Sequence, residues 1–184
     1  MKILFGHGST AVLVVLALAS IPATAEVYVA LHLGASDYLG DADVSTASVV
    51  GIQVAGGQSV SHMGGEFCYW RSTTDGTFEG DDDEDVDSDL AVTEIAFGIG
   101  YYAEGSGVRP WYVGGGLSVI RAEADNDKAD LDDTTLGAYV TGSIRRRAGE
   151  NVSFGLAGRL MLFTDVGGVD LNTLQVTVFA AFGK

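Results

Sequence analysis

LNTLQVTVFAAF (residues 171–182) alternates, most strictly through residues 173–178. Leu174, Val176, Val178 and Phe182 fall on one face, and Thr173, Gln175, Thr177 and Ala181 fall on the other. A period of two is the mark of a strand, and one bulky apolar face opposite one small or polar face means that the two sides meet different surroundings.

The same pattern recurs upstream. Val152–Phe163 sets Phe154, Leu156, Leu160 and Leu162 against Gly155, Ala157, Arg159 and Met161. Thr134–Ile144 sets Leu136, Ala138, Val140 and Ile144 against Thr135, Gly137, Tyr139, Thr141 and Ser143. Arg109–Arg121 sets Trp111, Val113, Leu117 and Val119 against Tyr112, Gly114, Gly116 and Ser118. Leu90–Tyr102, His62–Ser72, Ser48–Gly56 and Glu26–Ala35 complete eight segments. In these four, Ile95, Phe97, Met63, Phe67, Ile52, Leu31 and Leu33 lie on the bulky face, and Glu94, Ala96, Glu66, Cys68, Gln53 and His32 on the other.

The second face does not suit water. It is Gly-, Ala-, Ser- and Thr-rich with isolated charges, as the narrow interior of an eight-stranded barrel requires. The segments are long enough for tilted strands to cross a hydrocarbon layer, which takes roughly 9–11 residues. The connections alternate. Gly57–Ser61, Ala103–Val108 and Arg145–Asn151 are short, whereas Ser36–Ala47, Thr73–Asp89 and Ala122–Asp133 are long and polar; the last loop, Thr164–Asp170, is shorter than these and departs from the alternation. Short turns at one end and long loops at the other fit an outer-membrane barrel. The fold expected is an all-β, eight-stranded, antiparallel, up-and-down transmembrane barrel spanning residues 26–184. Its bulky face meets lipid and its small face lines a closed cylinder.

Residues 1–25 stand apart. Lys2, the apolar run Ala11–Ala19 and Ala23-Thr24-Ala25 read as a secretory signal peptide, with a retained anchor as the alternative. The absence of cysteine near the cleavage site excludes a lipidated mature N-terminus. Removing Lys2 takes the formal net charge from −15 to −16. So acidic a chain has no basic stripe for a phosphate backbone, and nucleic acid is not an expected partner. One cysteine permits no internal disulfide, so a secreted chain needs another device, which a closed hydrogen-bonded sheet supplies.

Several residues are candidates for chemistry. Two acidic stretches, 75–89 and 125–133, fall in the long loops. Asp81, Asp83, Asp85, Asp125 and Asp127 are candidate ligands for weak Ca²⁺ or Mg²⁺ binding, weighed against a solvated, self-repelling loop. Glu66, Glu94 and Arg159 share the interior face. Buried charges must pair, so Arg159 is expected to meet Glu94, Glu66 or both, as lumen filling or as a gate. Ser61-His62 lies at the turn end, Cys68 inside, and no G-x-S-x-G occurs, so an outer-membrane hydrolase lacks its parts. Arg145-Arg146-Arg147 is the basic cluster, read as a solvated turn or as a contact for acidic headgroups. Tyr38, Tyr69, Trp70, Tyr101, Tyr102, Trp111, Tyr112, Phe163 and Phe182 lie near strand ends and are expected in interfacial girdles.

RPWYVGGGLSVIRAEAD (109–125), GGEFCYWR (64–71) and LNTLQVTVFAAFGK (171–184) resemble strands of the small outer-membrane β-barrel family, of the OmpA/OmpX and opacity-porin type. That family usually ends on an aromatic residue, whereas here Gly183 and Lys184 follow Phe182. The resemblance implies an outer-membrane location, and outer-membrane lipid and the barrel assembly machinery as partners. It also implies a structural or surface-interaction role without enzymatic activity or cofactor. A small-solute or ion porin is the alternative. A lipid-modifying hydrolase is a further one, and no histidine after His62 supplies the late-strand His-x-Ser motif of the deacylases that share this barrel.

Overall fold

A computed structural model describes residues 26–39, 46–57, 62–79, 85–103, 111–126, 129–166 and 169–183, the tips of two hairpins by backbone path alone. The segment read as a signal peptide lies outside the described residues.

The strands are β1 (Glu26–Tyr38), β2 (Ala47–Gly57), β3 (Met63–Glu79), β4 (Asp85–Ala103), β5 (Trp111–Asn126), β6 (Ala129–Arg147) and β7 (Val152–Leu162), then the short β8 (Asp165–Val166) and β9 (Val169–Asp170), and β10 (Thr173–Gly183). The eight long strands form one closed antiparallel barrel in the order β1-β10-β7-β6-β5-β4-β3-β2. Among the described residues no helix is long and apolar enough to cross a membrane. Closure falls between β1 and β10, where Val29 faces Phe182 and Tyr38 faces Thr173.

The register fixes the geometry of the cylinder. One rung runs from Tyr28 through Ala55, Glu66, Gly98, Gly116, Tyr139, Met161 and Thr173. It returns to β1 at Tyr38, ten residues above its start. With rises of about 3.3 Å and strand spacings of about 4.8 Å, that stagger tilts the strands by roughly 40° and gives a backbone radius of about 8 Å. So narrow a cylinder is filled by its own side chains.

The expected faces hold around the circumference. Leu31, Ile52, Phe97, Leu117 and Leu136 are exposed on the outside, Leu117 and Leu136 at 71% and 73%. Their strand neighbours His32, Gln53, Ala96, Ser118 and Gly137 are buried inside. A contiguous apolar exterior of this extent is foreign to a water-soluble monomer. Val54 and Phe67 depart from the pattern. They are cross-strand partners on the outer face, yet both are buried, with Phe67 packed against Phe97 at 5.1 Å between ring centroids.

Two expected loops are largely sheet. The β3–β4 ladder continues through Thr73–Glu79 and Asp85–Ala91, and the β5–β6 ladder through Ala122–Asn126 and Ala129–Asp133. Antiparallel pairing persists past the barrel rim because the backbone bonds do not depend on what the side chains carry. The last connection is ordered too. Asp170 accepts from the Asn172 backbone N–H at 2.9 Å and from its Nδ2 at 3.0 Å, and Leu171 N–H donates to the Thr164 carbonyl at 2.9 Å. These bonds hold the buried Leu171 over the mouth of the barrel.

Candidate functional site

The lumen is occupied at three levels. At the turn end stand three inward tyrosines. Tyr28 and Tyr102 meet edge to face at 6.1 Å, Tyr102 and Tyr112 lie at 4.7 Å, and the Tyr102 hydroxyl approaches that of Tyr28 at 3.5 Å. The Arg145 guanidinium covers the Tyr28 ring at 5.1 Å. Tyr112 fits because Gly100 and Gly114 flank it, and a Cβ at either would collide with its ring.

The middle level is polar. Arg159 Nη2 donates to Glu94 Oε1, and both side chains are 2% exposed, so this ion pair is shut off from solvent. The guanidinium also lies 3.7 Å from the Tyr139 ring centroid and 5.4 Å from that of Trp70. Glu66 does not pair with the arginine. Its Oε2 accepts from Gln53 Nε2 at 2.6 Å and its Oε1 from the Tyr139 hydroxyl at 2.5 Å. Tyr139 therefore joins the two carboxylates: its ring lies under the Arg159 charge and its hydroxyl serves Glu66. His32 Nδ1 and Thr177 Oγ1 are 3.0 Å apart, and the imidazole packs between Phe179 at 5.0 Å and Trp70 at 4.7 Å. Trp70 is admitted by its rung partner Gly51, where any side chain would strike the indole.

Toward the loop end the filling turns apolar. Ala47, Val49, Leu90, Val92, Ile120 and Leu171 form one buried cluster, bordered by Tyr38 and Ser72, whose hydroxyls are 3.1 Å apart.

The other sequence candidates separate. Asp81, Asp83 and Asp127 lie outside the described residues. Asp85 stands opposite Glu79 and Asp125 opposite Asp130 in the two projecting ribbons. Among the described residues no group of three or more His, Cys, Asp or Glu side chains is placed to hold a metal. His62 is exposed at the turn end and His32 is enclosed in the lumen, so neither described histidine reaches the loop end where an outer-rim hydrolase would need one. Cys68 is buried. Arg145 turns inward over Tyr28, while Arg146 and Arg147 are exposed.

The aromatic girdle needs correction. Tyr101, Trp111, Phe163 and Phe182 are exposed and Tyr69 half-buried, but Tyr38, Trp70 and Tyr112 are buried in the lumen and Tyr102 is half-buried against Tyr112. Strand parity decides this, since each of these four lies in step with buried inward neighbours. Sequence reasoning also missed Tyr139 and Gln53 as partners of Glu66. The available signal was glycine opposite bulk: Gly116 is the rung partner of Tyr139, and Gly51 of Trp70.

No protein-family model matches the chain, and no curated protein matches it in sequence. Solved structures match in shape. The crystal structure of Neisserial surface protein A superposes with a TM-score of 0.63 at 15% identity, covering 88% of this chain and 98% of that one. Ail, the attachment invasion locus protein of Yersinia pestis, matches in complex with the heparin analogue sucrose octasulfate at TM-score 0.52 and 10% identity, covering 87% and 97%. The same protein in a phospholipid bilayer nanodisc matches at 0.53 and 11%, covering 86% and 99%. The chain thus has the eight-stranded barrel fold of these outer-membrane proteins.

Proposed function

We propose that this chain spans a bacterial outer membrane and acts there as a non-catalytic surface protein, presenting an acidic face to the outside. The observation that carries this reading is the division of labour in the barrel. The outside is an apolar belt, and among the described residues the inside holds a tyrosine group, a buried ion pair and an apolar cluster one above another. The two ribbons that rise beyond the rim carry Asp75, Asp85, Asp87, Asp89, Glu123, Asp130, Asp132 and Asp133. A filled lumen leaves the ribbons as the part free to meet a partner. The bound heparin analogue of the Yersinia protein is polyanionic. The ribbons here are themselves acidic and would repel such a ligand, so the partner of this chain is cationic: a basic peptide segment or polyamine-like surface.

A pore reading is opposed by the tyrosine group, the Arg159–Glu94 pair and the apolar cluster, which stand in series. In planar bilayers the refolded protein is expected to give no steady single-channel current. A stable open conductance would overturn the sealed-lumen reading. Heat-modifiable gel migration tests the barrel itself. Insertion through the barrel assembly machinery is part of this proposal, with β10 as the recognised strand.

Weak divalent binding belongs here as well. The backbone register sets Glu79 against Asp85 and Asp125 against Asp130 across the ladders. Like charges directly opposite destabilise a strand pair. Millimolar Ca²⁺ or Mg²⁺ is therefore expected to slow amide exchange in residues 75–79, 85–89 and 123–132 by several-fold, and more than NaCl of equal ionic strength. Equal protection by the two salts, with no calorimetric heat beyond dilution, removes the divalent idea.

A further inference from the structure

We propose that the outer wall of the barrel carries a seat for one anionic phospholipid of the periplasmic leaflet, its acyl chain in a glycine-floored notch and its phosphate at Arg146. This rests on the reading of the chain as a membrane-spanning barrel with its short turns in the periplasm.

The notch follows from the register. On the outward face one rung reads Val113, Gly142, Gly158, Val176. Two adjacent glycines between two valines leave bare backbone two strands wide. The rung below reads Trp111, Ile144, Leu156, Val178 and forms the lower wall. The resulting hollow has a volume of about 430 Å³ and is lined by Trp111, Val113, Ile144, Leu156 and Val176 over the two glycines. A Cβ added at Gly158 meets nothing within 4 Å, and one at Gly142 meets only the Tyr112 carbonyl at 3.8 Å, so packing within the barrel does not require glycine at either position.

The second observation is charge. Arg146 lies on the same strand and the same face as Gly142, four residues toward the turn, which is about 13 Å along the chain. Its rung partner is the exposed Phe154, whereas Arg147, opposite Ser153 at the rim, has the parity of the inward Arg145, so Arg146 is the arginine on the face of the notch. Both arginines are exposed. In a chain of net charge −15 they belong to the single run of three consecutive basic residues. Arg145 is spent on Tyr28, and Glu150 is exposed in the same turn. Trp111 and Phe182, both exposed, place the lower lip of the notch at interface depth, where aromatic rings sit among headgroups. A negative phosphate at the Arg146 guanidinium, with a hydrocarbon tail running up over Ile144 and Leu156, satisfies both ends at once. A lipid A phosphate offers the same chemistry but resides in the other leaflet, at the acidic end of the barrel.

The reporter is built in. The chain has two tryptophans: Trp111 lines the notch and Trp70 is buried in the lumen. The protein is refolded into phosphatidylcholine vesicles containing dibrominated phosphatidylglycerol or, at equal mole fraction, dibrominated phosphatidylcholine, and tryptophan quenching is compared. Phosphatidylglycerol is expected to be favoured about fivefold, the scale of one arginine near an anionic headgroup. R146Q should abolish the preference. G158L, which fills the notch and leaves the arginines alone, should weaken quenching by phosphatidylglycerol at unchanged gel migration. Equal quenching by the two lipids in the unaltered protein overturns the seat while leaving the membrane barrel standing, as does a preference that survives either variant. Absence of quenching by both lipids removes the membrane reading and the seat with it.

Discussion

Arg159→Met is expected to lower the unfolding free energy by about 3–5 kcal/mol, the cost of leaving a buried carboxylate without its partner. Glu94 is enclosed with the guanidinium, and water cannot reach it to replace the lost charge. The change also strips a cation from the faces of Tyr139 and Trp70. Methionine keeps most of the aliphatic volume, so the loss reports charge rather than a cavity. The measurement is the urea midpoint of the electrophoretic shift in phospholipid vesicles. The informative partner is Glu94→Gln/Arg159→Met, which removes both charges and is expected to recover most of the loss, because the desolvation of each ion disappears with it. Should Arg159→Met fail to insert, the double variant still inserts on this account. A double variant no more stable than the single one would show that Glu94 was never the dependent partner. Glu66→Gln is expected to cost about 1–2 kcal/mol, since the neutral amide still accepts from one of its two donors.

The parts legible in the sequence were those that follow from a period of two. Phe97 points outward because parity on a strand leaves no other choice once Glu94 must be inside, and Leu31, Ile52 and Leu117 follow because His32, Gln53 and Ser118 alternate with them as the small or polar face. The ribbons were not legible. Asp85, Asp87 and Asp89 look like a solvated loop, because a side-chain pattern registers repulsion but not the backbone bonds that Asp75, Thr77 and Glu79 offer across the ladder. The lumen was half legible. That Arg159 needs an acid can be argued from burial, but choosing Glu94 over Glu66 needs the stagger. Ten residues of shear, not visible in any one strand, bring Tyr139 between the two carboxylates. The girdle failed for a related reason. Closeness to a strand end says nothing of the face a side chain takes, and for Tyr112 and Trp70 the better guides are parity, the Gly100 and Gly114 that flank Tyr112 and the Gly51 opposite Trp70.

Leu117→Arg is expected to cost about 2–4 kcal/mol in a phospholipid bilayer, whereas Phe163→Arg should cost about 0–1 kcal/mol. Both positions are outward and highly exposed, at 71% and 77%. They differ in depth. Leu117 sits on the rung of Phe97 and Ala138, next to the rung of Gly98, Gly116 and Tyr139 that passes through the middle of the lumen. Phe163 follows the last residue of β7, where the backbone leaves the ladder with a φ of 62°. If water surrounded the barrel, an arginine at either exposed site would change stability by at most about 0.5 kcal/mol. If hydrocarbon surrounds it, the deeper guanidinium must carry its charge into a medium that cannot solvate it, while the shallower one reaches the interface. The difference between the two variants, read as paired urea midpoints in the same vesicles, therefore measures the solvent outside the barrel without reference to any partner. Two equal and near-zero costs would place these side chains in water and remove the physical basis for a spanning barrel.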